Sequence, residues 1–144
     1  MKYQVLVLDL DGTLTNSKKE ITEPTRNALI EIQQEGRIVV LASGRPINGV
    51  VPLAEKLELK KYGGYMLSFN GARITQCSTG RLIYNKTVPP EVIRPIYEYV
   101  RDREGVNIIS YSDTAIFSAK EPGRYTLLES GINDMEVIVS EDLP

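Results

Sequence analysis

Three short apolar runs, each followed by a polar segment, divide the first 70 residues of this 144-residue chain. The runs begin near residues 3, 37 and 65. Their spacing of about thirty residues is the length of a strand–helix–strand unit with a right-handed crossover. A strand of a parallel sheet is covered on both faces, so it reads as a continuous apolar run rather than an alternating one. The pattern predicts an α/β fold with three parallel strands and with the first strand, residues 3–10, in the centre of the sheet.

The segments between these runs have the marks of helices. Thr22 supplies a side-chain oxygen for a helix N-cap, Pro24 is tolerated in the first turn, and Gly36 stops the helix. A second helix is predicted around residues 50–57, and Pro52 leaves its start open. Together with the strands, these helices make a Rossmann-like half, in which ligands bind beyond the carboxyl ends of the strands.

The pattern changes after residue 71, and the change marks a second unit. Residues 72–77 and 81–87 flank a Ser-Thr-Gly segment, which predicts a hairpin. The elements predicted beyond it are a helix over residues 91–103, strands over 106–111, 115–119 and 135–139, and a short helix over 125–129. Such a mixture is typical of an α+β layer, so we predict two domains, residues 1–86 and 87–144.

Composition excludes several classes of function. The chain contains no His and a single Cys, Cys77. Within one subunit it therefore has no His-based catalytic triad, no His or thiolate zinc site and no internal disulfide, so carboxylates must do any acid–base work. A net charge of −2 offers no field that attracts nucleic acid. The apolar run at residues 5–8 is too short for a signal peptide or a membrane span, so we expect a cytoplasmic protein without a membrane partner.

Two acids mark the end of the first predicted strand. Asp9 and Asp11 are two residues apart, and alternation along a strand sends such positions to the same side. Gly12 allows a sharp turn immediately afterwards, which brings backbone N–H groups and the Thr13 hydroxyl close to both carboxylates. Mg²⁺ is usually held by one or two carboxylates together with substrate phosphate. The tip is therefore a candidate Mg²⁺ site formed by Asp9 and Asp11.

Two other interpretations compete for this acidic tip. Asp and Gly are common in solvated turns, but an ordinary turn after a buried strand does not need two acids on one face. In a calcium-binding loop, Asp9, Asp11, Thr13 and Glu20 would occupy positions 1, 3, 5 and 12. That interpretation fails because position 6 is Leu14 rather than Gly, and because a strand rather than a helix precedes the loop.

The tips of the second and third strands carry groups that suit an anion. Ser43 supplies a hydroxyl, Gly44 an unobstructed N–H and Arg45 a guanidinium. Pro46 is well placed to begin a helix, whose N-terminus favours an anion. These residues form a candidate phosphate cradle. Asn70, which precedes a glycine, belongs first of all to a hairpin turn, and Arg45 and Asn70 are candidate substrate contacts.

Three segments of the chain resemble one known family. The sequence DLDGTLTNS at residues 9–17 follows an apolar strand, and LASGRP at residues 41–46 follows the next. Both resemble the haloacid dehalogenase (HAD) superfamily and, more narrowly, its Cof-type sugar-phosphate phosphatases. The FNGA segment at residues 69–72 is similar to the subgroup in which an α/β cap domain is inserted after the third core strand. The likeness extends over residues 1 to about 120.

The resemblance implies a Mg²⁺-dependent hydrolysis of small phosphorylated metabolites, such as sugar phosphates, in two steps. Asp9 would be the nucleophile that forms an aspartyl-phosphate. Asp11 would protonate the leaving alcohol and then take a proton from water. Ser43, with the backbone of Gly12 and Gly44, would hold the phosphate oxygens, and the cation would lie between Asp9 and the Asp11 backbone carbonyl.

Two later motifs of the family, a phosphate-binding Lys and a Gly-Asp pair that completes the metal site, are missing from this sequence. We therefore interpret the chain as the N-terminal part of a longer protein. Residues 1–86 would be a partial Rossmann-like HAD core of three parallel strands plus a hairpin. Residues 87–144 would be the start of an α+β cap.

Three alternatives remain open at this point. A phosphomutase would pass the same aspartyl-phosphate back to a sugar. A receiver-like phospho-acceptor module would have adjacent acids after the first strand and an Asp at the third tip, where this chain has Asn70. A non-catalytic piece would associate through an uncovered sheet edge, with an oligomeric state that the sequence leaves open.

Overall fold

The structure, a computed structural model, describes residues 3–140. The chain divides between Lys86 and Thr87 into two compact units. Within residues 3–140, no helix is both long enough and apolar enough to cross a membrane.

The first unit is a mixed sheet with helices. Its strands are β1 (Val5–Asp9), β2 (Ile38–Ala42), β3 (Tyr65–Ser68), β4 (Arg73–Gln76) and β5 (Leu82–Asn85), and its helices are α1 (Glu23–Gln34), α2 (Ile47–Lys56) and α3 (Leu59–Tyr62). The five strands follow the order β1-β2-β3-β4-β5. β1, β2 and β3 run parallel, and β4 and β5 continue the sheet as an antiparallel hairpin. The α/β fold with three parallel strands and a hairpin is therefore confirmed.

Local sequence signals account for the helix ends. The Thr22 hydroxyl accepts a hydrogen bond from the Thr25 N–H at 3.4 Å, so α1 begins with the predicted N-cap. α2 begins directly after Pro46 and includes Pro52. The four-residue α3 was not expected from the sequence, and it is bounded by two left-handed residues, Glu58 at φ 54° and Gly63 at φ 79°.

The position of β1 differs from the prediction. β1 forms one edge of the sheet and pairs with β2 alone, so the prediction of a central strand is wrong. The side chains of Val5 and Val7 are 51% and 56% exposed, while Leu8 packs against the core. An apolar run indicates that a strand can be covered, but the order of strands depends on which segments pair with it. In this structure, no described segment pairs with the outer edge of β1.

The core of the first unit lies between the sheet and its helices. β2 contributes Val39 and Leu41, which are fully buried, and α2 contributes Val50. Burying a side chain of this size stabilises a fold by about 1.5–3 kcal/mol relative to leaving it exposed. β2 is therefore the firmly held strand from which the loop after Ala42 extends.

The second unit is smaller and contains a three-stranded sheet. Its elements are α4 (Pro90–Val100), β6 (Ile109–Tyr111), β7 (Ala115–Ser118), α5 (Arg124–Asn133) and β8 (Glu136–Val139). The strand order is β6-β7-β8, with β6 antiparallel and β8 parallel to β7. This mixture agrees with the predicted α+β layer, although α5 is longer than the short helix expected there.

Candidate active site

The acidic tip at the end of β1 is a tight turn. Gly12 has φ 83°, a left-handed conformation that favours glycine. The carbonyl oxygen of Leu10 accepts hydrogen bonds from the N–H and the hydroxyl of Thr15, both at 2.9 Å. Thr15 is buried. The turn therefore folds back on a buried anchor and leaves Asp9 and Asp11 exposed to solvent.

Arg45 joins the second tip to the first. Its Nε donates to Asp11 Oδ2 at 2.9 Å and its Nη2 donates to Asp11 Oδ1 at 2.6 Å. Its Nη1 donates to the Gly49 carbonyl at 3.3 Å, and the side chain is only 10% exposed. A planar guanidinium that binds both oxygens of a carboxylate fixes its orientation as well as its charge. The loop after β2 therefore holds the Asp11 side chain directly.

Lys19 is a site residue that the sequence analysis did not single out. Its Nζ donates to Asp11 Oδ1 at 2.8 Å, from the loop between β1 and α1. The sequence offers two adjacent lysines there, and no spacing distinguishes Lys19 from Lys18. The local signal is Asn16, whose side chain can close a turn around the pair.

The two cations change the proton affinity of Asp11. The Arg45 hydrogen bonds, more than those of Lys19, lower the pKa of the Asp11 carboxyl from 3.8 to about 2, although partial burial acts in the opposite direction. Favouring the charged form in this way is what hydrogen bonds from cations do. At neutral pH Asp11 is therefore held as an anion.

Titration of Asp11 tests this arrangement. We expect its carboxyl carbon resonance in an NMR pH series to have a midpoint at about 2 rather than 3.8. The midpoint should rise more in Arg45→Met than in Lys19→Met, because Arg45 is the larger cause. Since the folded pKa is the lower one, the linked stability is present above about pH 3.8 and is lost as the pH falls towards 2. The carboxyl is 38% exposed, so solvent screening limits this contribution to about 1 kcal/mol. An ordinary midpoint in the unaltered protein would contradict the ion pairs.

Asp9 contrasts with its neighbour. Within residues 3–140, its exposed carboxylate has no hydrogen-bond or ion-pair partner. The described residues contain no cluster of three or more His, Cys, Asp or Glu that could enclose a metal. A free carboxylate beside an open turn nonetheless fits Mg²⁺, which is commonly bound through one or two carboxylates with substrate phosphate and water.

The second and third tips are in contact around Ser43. Its side-chain oxygen accepts the Arg45 N–H at 3.2 Å, and its carbonyl accepts the Asn70 N–H at 3.0 Å. A Cβ atom placed on Gly44 would lie 3.2 Å from Asn70 Oδ1, so the Asn70 amide sits directly against the backbone of Gly44. Ser43 is buried, and its hydroxyl oxygen accepts the Arg45 hydrogen bond without using the hydroxyl hydrogen, so the group can still donate to another acceptor.

The turn after β3 is left-handed throughout. Phe69, Asn70 and Gly71 have φ values of 51°, 55° and 87°. The Phe69 N–H donates to the Arg45 carbonyl at 3.0 Å, which ties the turn to the second tip. β3 and β4 are antiparallel on either side, so this segment is a hairpin turn that also fixes the position of Asn70. A positive φ costs free energy at a bulky residue such as Phe69.

A cavity of about 460 Å³ lies elsewhere in the first unit, and Val51, Ala54, Met66, Thr75 and Cys77 are among its lining residues. Burial raises the pKa of the Cys77 thiol to about 11, so the thiol is neutral and behaves as an apolar group. None of the predicted site residues lines this cavity among the described residues. The exposed tips, rather than the cavity, are therefore the candidate active site.

Known proteins are similar to this chain in sequence and in fold. A family model for haloacid dehalogenase-like hydrolases matches residues 6–141. A haloacid dehalogenase-like hydrolase from Bacteroides thetaiotaomicron has a crystal structure with a TM-score of 0.89 and 41% identity, over 99% of this chain and 53% of that one. A protein of Streptococcus pyogenes is 31% identical over 138 residues, which are 95% of this chain and 51% of the relative. Phosphatase YwpJ of Bacillus subtilis is 36% identical over 85 residues, or 59% of this chain and 28% of YwpJ.

Most of this chain is matched, but the matched region is shorter than the full length of each relative. The chain spans about half the length of several curated relatives that it matches. The family match nevertheless includes both strand tips and reaches into the second unit. The resemblance seen in the sequence is thereby confirmed, and the chain belongs to the haloacid dehalogenase-like hydrolase family.

Proposed function

We propose that this chain carries the nucleophile half of a Mg²⁺-dependent phosphomonoester hydrolase that acts on small phosphorylated metabolites, such as sugar phosphates, through an aspartyl-phosphate. Residues 1–86 would belong to the catalytic core and residues 87–144 to a cap. The support for the catalytic class is membership of a hydrolase family in which a relative is named a phosphatase.

One observation carries the proposal. Arg45 binds Asp11 with two hydrogen bonds, and this contact joins the acidic tip to the Ser43 loop. The neighbouring Asp9 carboxylate has no partner within residues 3–140. The strand register pairs Asp9 with Ala42, the residue before Ser43, and nucleophilic attack on a phosphate requires a free carboxylate with hydrogen-bond donors nearby.

The residues divide the work as follows. An Asp9 carboxylate oxygen forms a bond to phosphorus while the bond to the leaving oxygen breaks. The Ser43 hydroxyl and the N–H groups of Gly12 and Gly44 donate hydrogen bonds to the other phosphate oxygens. Mg²⁺, held by the Asp9 side chain and the Asp11 backbone carbonyl, would offset the repulsion between carboxylate and phosphate.

Asp11 supplies the proton transfers in this proposal. It protonates the leaving alcohol, and it later takes a proton from the water that attacks the aspartyl-phosphate. The ion pairs with Arg45 and Lys19 favour its anionic form, which suits the second step and opposes the first. Before the alcohol leaves, Asp11 must therefore break at least one ion pair and take up a proton from solvent, which it gives to the alcohol and later replaces with one from the attacking water.

A phosphatase screen tests the proposal. Inorganic phosphate release from a panel of sugar phosphates is measured with and without Mg²⁺, on this chain and on a version extended at its C-terminus to the length of the relatives. We expect steady, Mg²⁺-dependent release from at least one of the two proteins. Labelling that stops after one turnover would favour a receiver-like module, and isomerised sugar phosphate without release would favour a mutase. No reaction in either protein would reject the proposal.

A further inference from the structure

The loop between β1 and α1 holds Lys19 in an unusual backbone conformation. Its φ of 62° lies in the left-handed region, which is unfavourable for a residue with a side chain. The Asn16 side-chain oxygen accepts the N–H groups of Lys18 and Glu20, at 2.9 and 3.1 Å. The Lys19 N–H donates to the Asn16 carbonyl at 2.9 Å. This closed loop fixes the point from which the Lys19 side chain extends.

From that point the Lys19 ammonium reaches the acidic tip. Nζ lies 2.8 Å from Asp11 Oδ1, the same oxygen that accepts Arg45 Nη2 at 2.6 Å. The Asp11 carboxylate thus faces two cations, and Arg45 alone already binds both of its oxygens. Asp9 is the second carboxylate of the tip, so these two cations balance its two acids and the tip carries no excess negative charge that would repel an anion.

Arg45 and Lys19 differ in how firmly the protein holds them. The Arg45 side chain is 10% exposed and makes three hydrogen bonds. The Lys19 side chain is 49% exposed, and Asp11 is its single side-chain partner within residues 3–140. Two of its three ammonium donors are therefore free for a ligand. Exposed ion pairs stabilise folds little, so the contact between Lys19 and Asp11 can open for a ligand at little cost in stability.

We propose that Lys19 is a substrate-binding residue whose ammonium group donates hydrogen bonds to the phosphate group of the substrate. The inference rests on the proposed function, because the substrate phosphate lies at this tip only if Asp9 is the group that attacks it. An ammonium group on a flexible stem is a compact charge that can turn from Asp11 to a phosphate oxygen. Arg45, whose side chain is only 10% exposed and binds both oxygens of Asp11, keeps Asp11 in place meanwhile.

Calorimetric titration with inorganic phosphate, at low ionic strength and in the presence of Mg²⁺, tests this role. We expect Lys19→Met to weaken phosphate binding by about 10-fold or more, because a charge-assisted hydrogen bond is lost. Lys19→Arg should retain most of the affinity. Lys18→Met is the matched control, since it removes the same charge from an exposed neighbour whose side chain has no partner within the described part of the chain. It should weaken binding less than about 2-fold.

Equal weakening by Lys19→Met and Lys18→Met, or no weakening by Lys19→Met, overturns the inference. Circular dichroism confirms that the variants fold, and Lys19→Gln, which also removes the charge, serves as the test if Lys19→Met does not fold. If Asp9→Asn loses turnover while Lys19→Met has the kcat and KM of the unaltered protein, the role of Lys19 is rejected and the proposed function is retained. If neither the unaltered chain nor its C-terminally extended version binds phosphate or releases it, both the inference and the proposed function are rejected.

Discussion

Replacing Asp9 by asparagine is expected to abolish the release of phosphate from every phosphomonoester that the unaltered protein hydrolyses. The amide has nearly the same shape as the carboxylate but is no nucleophile, so the rate should fall by at least about 10³-fold. Because the Asp9 carboxylate is exposed and has no partner within residues 3–140, the free energy of unfolding should change by less than about 0.5 kcal/mol. Steady-state phosphate release and chemical denaturation measure the two effects.

A second readout identifies the bond that Asp9 forms. Labelled phosphate should remain on acid-quenched protein in the unaltered chain and be absent from Asp9→Asn. Glu31→Gln is the control, because it makes the same change of charge at an exposed position of α1 and should leave both rate and labelling unchanged. Retained turnover in Asp9→Asn would remove Asp9 as the nucleophile and with it the aspartyl-phosphate.

The sequence predicts where the site lies better than it predicts which contacts form there. Parallel strands end at one edge of a sheet, so the segments that follow β1, β2 and β3 were expected to be neighbours. In the structure Arg45 contacts Asp11, and Asn70 contacts Ser43. Arg45 was expected to contact the substrate, and in the structure its guanidinium instead binds the Asp11 carboxylate.

Lys19 illustrates a contact that pattern alone does not reveal. Lys18 and Lys19 are equivalent in composition and adjacent in sequence. Which of them reaches Asp11 depends on the turn that Asn16 closes and on a left-handed φ at Lys19. Periodicity describes regular elements, and it carries no information about a loop whose conformation is set by one side chain.

The fold was predicted most accurately where buried apolar side chains determine it. β2 has the two fully buried residues Val39 and Leu41 and lies within the expected segment. α3 escaped prediction because its four residues are too few to show a helical period. The central position expected for β1 was wrong because strand order is a property of pairing partners, which the apolar content of one segment does not specify.

Gly64 is the residue at which a single methyl group is expected to destabilise the fold most clearly. A Cβ atom there would lie 2.6 Å from the Val39 carbonyl oxygen and 3.0 Å from Leu59 Cδ2. The oxygen belongs to the backbone of β2, which is paired on both sides, so it cannot turn away as a flexible side chain would. Gly64→Ala should therefore lower the free energy of unfolding by about 3 kcal/mol, a large part of a typical total of about 5–15 kcal/mol. Denaturant titration followed by circular dichroism measures the loss.

The effect should also reach the candidate site. The Gly64 N–H donates to the Leu59 carbonyl and the Gly64 carbonyl accepts the Cys77 N–H, so this residue sets the start of β3. Any shift of β3 along β2 moves Asn70, at the far end, away from Ser43. Gly131→Ala in α5 is the matched control, because a Cβ there meets nothing within 4 Å, and it should raise stability by about 0.5–1 kcal/mol. Gly64→Ala could also prove as stable as the unaltered chain. In that case, the close approach of β2 to the start of β3 would not determine how the ends of these two strands are aligned.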